Sequence, residues 1–461
     1  VAPLLGSDAF QEIDVVGISQ PITKWSYQIR KAEDVAWAVA RAFYIARSGR
    51  PGPVVLDFTK DAQIQTTDFE YKPCTFIRSY IPIPEIKCEQ IEHAATLING
   101  AKKPFALVGQ GVVLSNGEKE LIAFLEKADI PAASTLLGLS AMPSDFRLNR
   151  GFLGMHGNVA PNMKTNDCDL LIAIGMRFDD RVTGDLKTYA KQANIIHIDI
   201  DHSELNKNVK VQAPILGDAK AALKALTEKI NPAKHSDWIA SFDEYDQLEF
   251  DKVIEKEVHP TSGDITMGEV VRLVSEATNH DAIMVNDVGQ NQMMSARYFK
   301  YKQTRSIVTS GGLGTMGFGL PASIGAKTGA PERTVCFFCG DGGFQMTMQE
   351  LGTIMQEGTG VKMIILDNHF LGMVRQWQEL FFEERYSFTN MKNPKFIDIA
   401  KAYGIAGTEV HKREELKDAI ADMLKDDKPY LLVVNVEKKG MVLPMVPAGT
   451  CVTNILLETK N

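Results

Sequence analysis

Short apolar runs that alternate with helical stretches constrain the fold of this 461-residue chain more than any other feature. The clearest runs are Val54–Phe58, Phe105–Val108, Leu170–Gly175, Ile195–Ile200, Ala282–Asp287, Val335–Cys339 and Val361–Leu366. Runs of this length and composition are typical of strands buried on both faces. Residues Lys31–Ser48 instead repeat apolar side chains at helical spacing and end at Gly49. Strands that alternate with helices predict an α/β fold with parallel sheets flanked by helices.

The length of the chain and the breaks in its pattern predict several domains. A chain of 461 residues is too long for one hydrophobic core, so two to four domains are expected. Pro73, Pro82 and Pro84 mark one linker, and Pro232 and Pro260 mark a second. The predicted segments are 1–62, the C-terminal half of a first α/β domain; 63–85, a linker; 86–230, a central domain; 231–263, a second linker; 264–440, a third domain; and 441–461, a tail.

Bulk properties exclude some classes of protein. A net charge of −8 argues against a nucleic-acid partner, because a phosphate backbone requires a basic face. No apolar run approaches the length of a membrane span. Six scattered cysteines do not form a disulfide framework, which predicts a reducing, cytoplasmic location. Cys336 and Cys339 lie three apart on a predicted strand and face opposite sides, so they are interpreted as core residues rather than zinc ligands.

Polar side chains follow two of the predicted strands at their carboxyl ends. Gly340-Asp341-Gly342-Gly343 comes after one strand, and Asp367-Asn368 comes after the next. Because the carboxyl ends of parallel strands meet at one edge of a sheet, Asp341 and Asn368 are expected to lie close together. Mg²⁺ prefers oxygen ligands and shares them with phosphates, so the pair predicts a magnesium site that holds a diphosphate. The alternative is that both dipeptides are ordinary turns.

Two further segments favour a phosphate ligand in the third domain. Val288-Gly289-Gln290-Asn291 lies between a predicted strand and a helix, where backbone N–H groups point outward and attract an anion. The segment Gly312–Gly319 is rich in glycine, which lets the backbone approach a ligand closely. Neither signal is specific by itself.

Several motifs together resemble one enzyme family. They are Gly340-Asp341-Gly342 with Asn368, Thr309–Gly317, Gly372–Trp377, Arg177–Gly184 and Leu443–Pro447. The first is similar to the signature of thiamine diphosphate enzymes, and the full set resembles acetohydroxyacid synthase, also called acetolactate synthase, from the first residues to the last. The resemblance implies that the three domains bind, in order, the pyrimidine of thiamine, FAD, and Mg²⁺ with diphosphate. It also implies that the tail caps the site.

The resemblance implies an activity and a set of partners. Such an enzyme decarboxylates pyruvate on thiamine diphosphate and transfers the two-carbon unit to a second pyruvate or to 2-ketobutyrate. The products are 2-acetolactate and 2-aceto-2-hydroxybutyrate, in branched-chain amino acid biosynthesis. A homodimer or tetramer with the site at the subunit interface and a small regulatory subunit are implied as well. Pyruvate oxidase and glyoxylate carboligase are the nearest competitors, and Arg181, Trp377 and Leu443–Pro447 speak against both.

By resemblance, the metal is held by Asp341, Asn368 and the backbone carbonyl of Phe370. The Gly314 carbonyl accepts from the aminopyrimidine, and Met316 supports the bent cofactor; the alternative for Met316 is a flexible core residue. The implied contacts with thiamine diphosphate are Val288, Gly289, Gln290, Asn291, Gly314, Met316, Gly340, Asp341, Gly342, Gly343, Asn368, Phe370, Leu371, Gly372 and Met373.

The expectation of FAD depends on the resemblance, because Gly109-Gln110-Gly111 is a poor dinucleotide fingerprint without its third glycine. Asp199 has a physical rationale, since an acidic residue after a strand can accept from ribose hydroxyls. A lone histidine such as His156 is more often structural. The implied residues of the flavin domain are Arg50, Gly109, Gln110, Gly111, Thr135, Leu136, Leu153, Gly154, Met155, His156, Gly175, Arg177, Asp179, Arg181, Val182, Asp199, Ile200, Gly217, Asp218 and Ala219.

The resemblance also implies residues that act on substrates. Trp377 shapes the pocket for the second keto acid, with a helix interface as the alternative. Arg181 pairs with the substrate carboxylate, with a surface ion pair to Asp179 or Asp180 as the alternative. Met373, together with Phe370, Leu371 and Val374, forms apolar walls. Phe10 and Gln11 match a loop that reaches the site, and Lys60 matches a lysine at its mouth; each has an ordinary surface reading.

The resemblance begins partway through the family's first domain. The glutamate that activates thiamine in the family belongs to the part that would precede Val1, and no residue here matches it by motif. The expectation is a truncated chain that lacks this segment, and the resemblance leaves open whether the chain is active alone. Residues Val1–Leu5 show neither the basic start nor the apolar run of a signal peptide. A cofactor-binding chain without activity is the alternative from a different class.

Overall fold

The parallel α/β class is confirmed. The computed structural model describes residue 4 and residues 6–458; the outer ends of the predicted first domain and tail, residues 1–3, 5 and 459–461, lie outside the described part. Within that part the strands are β1 (Trp25–Ile29), β2 (Val54–Phe58), β3 (Pro104–Val108), β4 (Ala132–Ser134), β5 (Asn149–Phe152), β6 (Leu170–Ile174), β7 (Asn194–Asp199), β8 (Ala213–Leu216), β9 (Ile283–Asn286), β10 (Ile307–Val308), β11 (Val335–Gly340), β12 (Val361–Asp367), β13 (Ala406–Val410) and β14 (Tyr430–Asn435).

Helices connect these strands throughout the described residues. They are α1 (Val15–Ser19), α2 (Val35–Arg47), α3 (Lys60–Ile64), α4 (Cys88–Gly100), α5 (Gln110–Leu114), α6 (Glu118–Ala128), α7 (Val159–Thr165), α8 (Asp180–Thr183), α9 (Ala219–Lys229), α10 (Ser236–Ala240), α11 (Asp243–Glu249), α12 (Glu255–Val258), α13 (Met267–Ala277), α14 (Gln290–Tyr298), α15 (Gly319–Gly329), α16 (Asp341–Thr347), α17 (Leu351–Glu357), α18 (Gly372–Phe381), α19 (Phe396–Ala402) and α20 (Arg413–Leu424). The helix predicted at Lys31–Ser48 begins later, because Ala32–Asp34 forms a 3₁₀ turn before α2.

The N-terminal segment contains a two-stranded parallel sheet, β1-β2, covered by α2. Its buried core is small and consists of Ile29, Ala38 and Ala62. Large apolar side chains remain at its surface, including Trp37 at 48% exposure and Phe43 at 61%.

The central sheet has the strand order β5-β4-β3-β6-β7-β8, and all its pairs are parallel. Its strands are buried on both faces, since one face packs with α4, α6 and α9 and the other packs with Trp238, Phe242 and Tyr189. The strand order reverses between β3 and β6. A reversal of this kind opens a crevice at the carboxyl ends of the two strands, where ligands bind in open parallel sheets.

The third sheet has the order β10-β9-β11-β12-β14-β13 and is also parallel. Cys336 and Cys339 on β11 belong to the cores on opposite faces, which confirms their predicted orientation. The strand order reverses between β9 and β11. The residues that follow these strands, Asp287 and Asp341, therefore lie beside a second crevice.

The segment predicted as a second linker, 231–263, is largely helical. It forms α10, α11, a π-helical turn at Phe250–Ile254 and α12. Trp238, Phe242 and Val253 are buried, and these apolar positions within a polar stretch explain why it folds onto its neighbours. Among the described residues, no helix is both long and apolar enough to cross a bilayer.

Candidate functional site

A cavity of about 1050 Å³ joins the carboxyl ends of the two larger sheets. Most of the residues predicted for the cofactors and substrates line this cavity. They are Arg50, Gln110, Gly111, Thr135, Leu136, Leu153, Gly154, Met155, His156, Gly175, Arg177, Asp179, Arg181, Val182, Asp199, Ile200, Asp218, Ala219, Val288, Gly289, Gln290, Asn291, Gly314, Met316, Gly340, Asp341, Gly342, Gly343, Asn368, Phe370, Leu371, Gly372, Met373 and Trp377.

Three helix N-termini converge on the third-sheet half of the cavity. Helix α14 begins at Gln290, α16 at Asp341 and α18 at Gly372, and all three residues line it. The first N–H groups of a helix have no partner within the helix and carry partial positive charge, so each N-terminus attracts an anion. The arrangement is suited to a ligand with more than one phosphate.

Glycines let the loops of this half approach one another. A Cβ on Gly342 would lie 2.8 Å from Cδ2 of Leu371, and a Cβ on Gly372 would lie 2.1 Å from Oε1 of Gln290 and 2.7 Å from Nδ2 of Asn368. Larger residues at these positions would push the loops apart. The loops that follow β9, β11 and β12 are therefore in contact. This contact agrees with the expectation that Asp341 and Asn368, at the ends of parallel strands, lie close together.

Oxygen ligands for a cation lie at the ends of β11 and β12. Asp341, Asp367 and His369 offer ligand atoms within 4.8 Å of one another. The side-chain nitrogen of Asn393 lies between the carboxylates and donates to Asp341 Oδ2 at 2.7 Å and to Asp367 Oδ1 at 2.9 Å. Burial, together with the negative charge of Asp367, raises the pKa of Asp341 to about 6 although Asn393 opposes the shift. Two buried carboxylates this close favour a cation.

Asn368 and Asn291 have specific orientations beside these carboxylates. Asn368 donates from Nδ2 to Gln290 Oε1 at 3.1 Å, and its Oδ1 accepts from the backbone N–H of Phe370 at 3.1 Å. The Oδ1 of Asn291 is buried without a partner, and its Nδ2 makes only a long bond of 3.4 Å to the carbonyl of Val288. The amide of Asn291 thus retains hydrogen-bonding capacity for a ligand in the cavity.

Asp287 organises the turn and the glycine loop around the site. Its buried carboxylate accepts from the backbone N–H groups of Val288 at 2.8 Å, Gly317 at 3.0 Å and Gly319 at 2.9 Å. These bonds join the 288–291 turn to the loop that contains Gly314 and Met316. The sequence placed Asp287 at a strand end but gave no signal of this role, and the same is true of Asn393.

Arg181 and Trp377 line the cavity and are in contact with each other. The guanidinium carbon of Arg181 lies 5.9 Å from the ring centre of Trp377, and Nη1 lies 3.9 Å from the sulfur of Met155. Arg181 also lies 3.7 Å from Asp180, with both side chains more than half exposed. A pair this exposed contributes little to stability, so the guanidinium remains available to a carboxylate ligand.

The central-sheet half of the cavity is built on close backbone contacts. A Cβ on Gly111 would lie 2.6 Å from Cα of Gly175, so the turn after β3 packs directly on the end of β6. Gly154 has a φ of 114°, which favours glycine, and a Cβ there would lie 2.9 Å from the carbonyl oxygen of Arg181. Gly111, Gly154 and Gly175 line this half of the cavity, which is called the groove below.

Charged and titratable groups line the same groove. Burial raises the pKa of Asp199 to about 6. Burial, together with the positive charge of Arg297, lowers the pKa of His156 to about 4, so its imidazole is neutral at pH 7. Arg50 belongs to the N-terminal segment and forms ion pairs with the central domain. Its Nη1 lies 2.7 Å from a carboxylate oxygen of Glu204 and 3.2 Å from one of Asp201.

Five predicted site residues do not line the cavity. Gly109 and Gly217 lie behind its wall, where a Cβ would lie 2.2 Å from the Gly175 carbonyl oxygen and 2.3 Å from Cγ1 of Ile86, respectively. Their close packing accounts for glycine without a ligand contact. Phe10 is 92% exposed, and Gln11 and Lys60 are also at the surface. Their roles remain predictions.

Comparisons with known proteins agree with this geometry. Residues 287–434 match the family described as "Thiamine pyrophosphate enzyme, C-terminal TPP binding domain", and residues 91–226 match its central domain. The chain is 43% identical to the acetolactate synthase large subunit of Lactococcus lactis, over 97% of this chain and 78% of that protein. It is 40% identical to the acetolactate synthase isozyme 2 large subunit of Escherichia coli, over 99% and 81%. It is also 40% identical to chloroplastic acetolactate synthase 2 of Nicotiana tabacum, over 99% and 70%.

Proposed function

We propose a mechanism from the premise that this chain belongs to the acetolactate synthase large-subunit family and is a thiamine diphosphate-dependent acetohydroxyacid synthase. The reaction decarboxylates pyruvate and transfers its two-carbon unit to a second 2-keto acid, in branched-chain amino acid biosynthesis. The observation that carries the assignment is the convergence of three helix N-termini, Asp341 and Asn368 on one cavity.

Mg²⁺ and the diphosphate of thiamine fit the third-sheet half of the cavity. We assign the metal to Asp341, Asn368 and the carbonyl of Phe370, supported by the buried carboxylates and the loop contacts between Gly342 and Leu371. The N-termini of α14, α16 and α18 would bind the diphosphate oxygens. Asp367 and His369 adjoin this set and would tune its charge.

Thiamine diphosphate, when bound, supplies the nucleophilic carbon and the electron sink for decarboxylation. The protein's own contribution is position and environment. Leu371, Met373 and Val374 present apolar walls beside the cavity, and a water-poor site favours a step in which charge is lost. Met316 lies on the loop that Asp287 fixes, and its side chain would support the bent cofactor.

The second substrate would bind beside the contact between Arg181 and Trp377. A guanidinium can bind the carboxylate of a keto acid through two parallel hydrogen bonds. The indole of Trp377 would contact the side chain of that acid, which makes it the residue that separates 2-ketobutyrate from pyruvate. Their contact on the wall of the cavity supports this division of roles.

FAD is the proposed ligand of the central-sheet half. Gly111, Gly154, Gly175 and Asp199 line this half of the cavity, and the carboxyl of Asp199 is suited to a ribose hydroxyl. The transfer between keto acids involves no net redox change, so the flavin would have a structural role.

The proposed partners follow from the family and from the surface of the N-terminal segment. We assign a homodimer or tetramer with the site at a subunit interface, and the exposed Phe10, Trp37 and Phe43 are the apolar residues that such an interface would cover. A small regulatory subunit is the further proposed partner.

A cytoplasmic location is supported by the absence of disulfides among the six cysteines, all of which lie in the described part.

The activity is tested by incubating the purified chain with pyruvate, thiamine diphosphate, Mg²⁺ and FAD and measuring acetolactate. The account predicts acetolactate that depends on both thiamine diphosphate and Mg²⁺, and a flavin absorption spectrum in the purified protein. Binding of the cofactors without acetolactate would contradict the activity. Absence of thiamine diphosphate binding would contradict the site.

A further inference from the structure

Gln376 is a buried amide that does not line the cavity yet contacts both the tail and the 288–291 turn. It lies on α18 next to Trp377 and is 1% exposed. Its Oε1 accepts from the backbone N–H of Val442 at 2.9 Å and from Nε2 of Gln290 at 3.0 Å. Its Nε2 donates to the carbonyl of Val442 at 3.1 Å. A fully bonded amide in a core is a strong local constraint.

The orientation of Gln376 is fixed by backbone atoms. An amide side chain can in general be turned over, which exchanges its oxygen and nitrogen. The N–H and C=O of Val442 cannot exchange their roles, and they bind opposite ends of the Gln376 amide. The oxygen of Gln376 must therefore be the atom that faces Gln290.

The orientation of the Gln290 side-chain amide is fixed in the same way, by its hydrogen-bond partners. Its Nε2 has two acceptors, Oε1 of Gln376 and the carbonyl of Gly440 at 2.9 Å. Its Oε1 is consequently the atom left to face Asn368, and it accepts from Asn368 Nδ2. Asn368 then has its nitrogen turned toward Gln290, and the backbone N–H of Phe370 binds its oxygen on the opposite side, so the two contacts favour the same orientation.

We propose that Gln376 is a positioning residue that acts through Gln290 to present the oxygen of Asn368, rather than its nitrogen, to a cation beside Asp341. Only oxygen can ligate Mg²⁺, so a turned-over Asn368 would place two hydrogen atoms toward the metal. We call the hydrogen bonds that run from Val442 through Gln376 and Gln290 to Asn368 the relay. Because the relay begins at Val442, the tail and the metal ligand are ordered together. This inference rests on the proposed function, because it assumes that Asn368 ligates Mg²⁺.

The test uses the full chain with Gln376→Leu, which removes the relay and keeps the side-chain volume nearly constant. The readout is the Mg²⁺ concentration that half-saturates thiamine diphosphate binding, and this binding is measured through tryptophan fluorescence. The relay predicts an increase of about tenfold, the effect of losing one or two buried hydrogen bonds. It also predicts faster hydrogen exchange of the Val442 amide. Gln378→Leu is the matched control, since Gln378 on the same helix bonds with Ser387 instead and should change neither readout.

A second background separates orientation from general loosening of the fold. An Asn368→Asp side chain offers oxygen at both ends and needs no orientation. In that background Gln376→Leu should not raise the Mg²⁺ requirement, because it frees Gln290 to turn its nitrogen toward the carboxylate. A tenfold change in both backgrounds would overturn the inference. So would the lack of a tenfold change in either background, provided that the thermal midpoint shows the Leu variant to be folded. Either result would leave the proposed function intact. Failure of the unsubstituted chain to bind thiamine diphosphate with Mg²⁺ would instead contradict the proposed function.

Discussion

The carboxylate of Asp287 accepts a hydrogen bond from the backbone N–H of Gly319 at 2.9 Å, although the two residues are 32 positions apart. A Cβ on Gly319 would lie 2.3 Å from Cε2 of Phe337, so the loop reaches Asp287 only because this residue is glycine. Together with the bonds to Val288 and Gly317, this contact fixes two of the loops around the cofactor cavity.

Asp287→Ala is therefore expected to reduce both stability and cofactor binding. The loss of three bonds to a buried carboxylate should lower the free energy of unfolding by about 3 kcal/mol. It should also weaken thiamine diphosphate binding, because the 288–291 turn and the Met316 loop lose their common acceptor. Urea unfolding and a cofactor titration measure these effects. Asp398→Ala, at an exposed position of α19, is the control. Identical unfolding curves for the two variants would exclude the role given to Asp287.

Trp377→Leu is expected to shift the product ratio toward acetolactate. A smaller side chain loses contact with the extra methylene of 2-ketobutyrate, and such a contact is worth about tenfold in selectivity. The ratio is measured in competition assays with both keto acids. Phe381→Leu is the matched control, since the Phe381 ring packs on Trp377 at 5.1 Å between centres but does not line the cavity. An unchanged ratio in the Trp377 variant would remove its assignment to specificity.

Binding of Mg²⁺ should weaken as the pH falls below 6. Burial and the neighbouring Asp367 raise the pKa of Asp341 from 3.8 to about 6, and a cation requires the ionised carboxylate. Apparent affinity should therefore fall by about fivefold between pH 6 and pH 5, because the ionised fraction of Asp341 falls by that factor. Since the folded state releases this proton at a higher pH than the unfolded state, the metal-free protein should lose stability as the pH rises from 4 to 6.

The measurement for this pH dependence is calorimetric titration with Mg²⁺ and thiamine diphosphate at several pH values. The affinity of Mg²⁺ for free thiamine diphosphate at each pH is subtracted, because the cofactor's own phosphates also titrate in this range. A constant corrected affinity from pH 7 to pH 5 would contradict a metal ligand with a pKa of about 6.

Glu249→Gln should destabilise the protein strongly. Glu249 and Arg297 form a fully buried ion pair between α11 and α14, and Glu249 also accepts from Asn158 and from the backbone N–H of Val159. Neutralising one member leaves an unpaired buried charge, which costs about 3–5 kcal/mol. Thermal and urea unfolding measure the loss. Glu276→Gln, in the partly exposed pair with Arg272, should cost less than about 1 kcal/mol. Comparable losses in both variants would contradict this difference.

The sequence predicted the sheets and the strand-end residues because both depend on local patterns. Apolar runs identified β11 and β12 within one residue of their observed ends, and parallel pairing then placed Asp341 and Asn368 at one edge. Polar or short strands such as β13 (Ala406–Val410) and β10 (Ile307–Val308) gave no such pattern and were not predicted. The helices within 231–263 were hidden because their charged faces dominate the composition.

Residues that act through distant contacts could not be predicted. Asn393 lies 52 positions from Asp341, and Gln376 lies 66 positions from Val442 and 86 from Gln290. In sequence, both are isolated polar residues of a kind that is usually exposed. Only the folded arrangement places Asn393 between the carboxylates of Asp341 and Asp367, and Gln376 between Gln290 and Val442.

The most direct measurement is a calorimetric titration of the purified chain with thiamine diphosphate, with and without Mg²⁺, beside the variant Asp341→Ala. The account predicts saturable binding that requires Mg²⁺ and is weakened at least about a hundredfold in the variant, as expected when a metal loses a charged ligand. Binding that is independent of Mg²⁺ and of Asp341, or no binding to the unsubstituted chain, would contradict it.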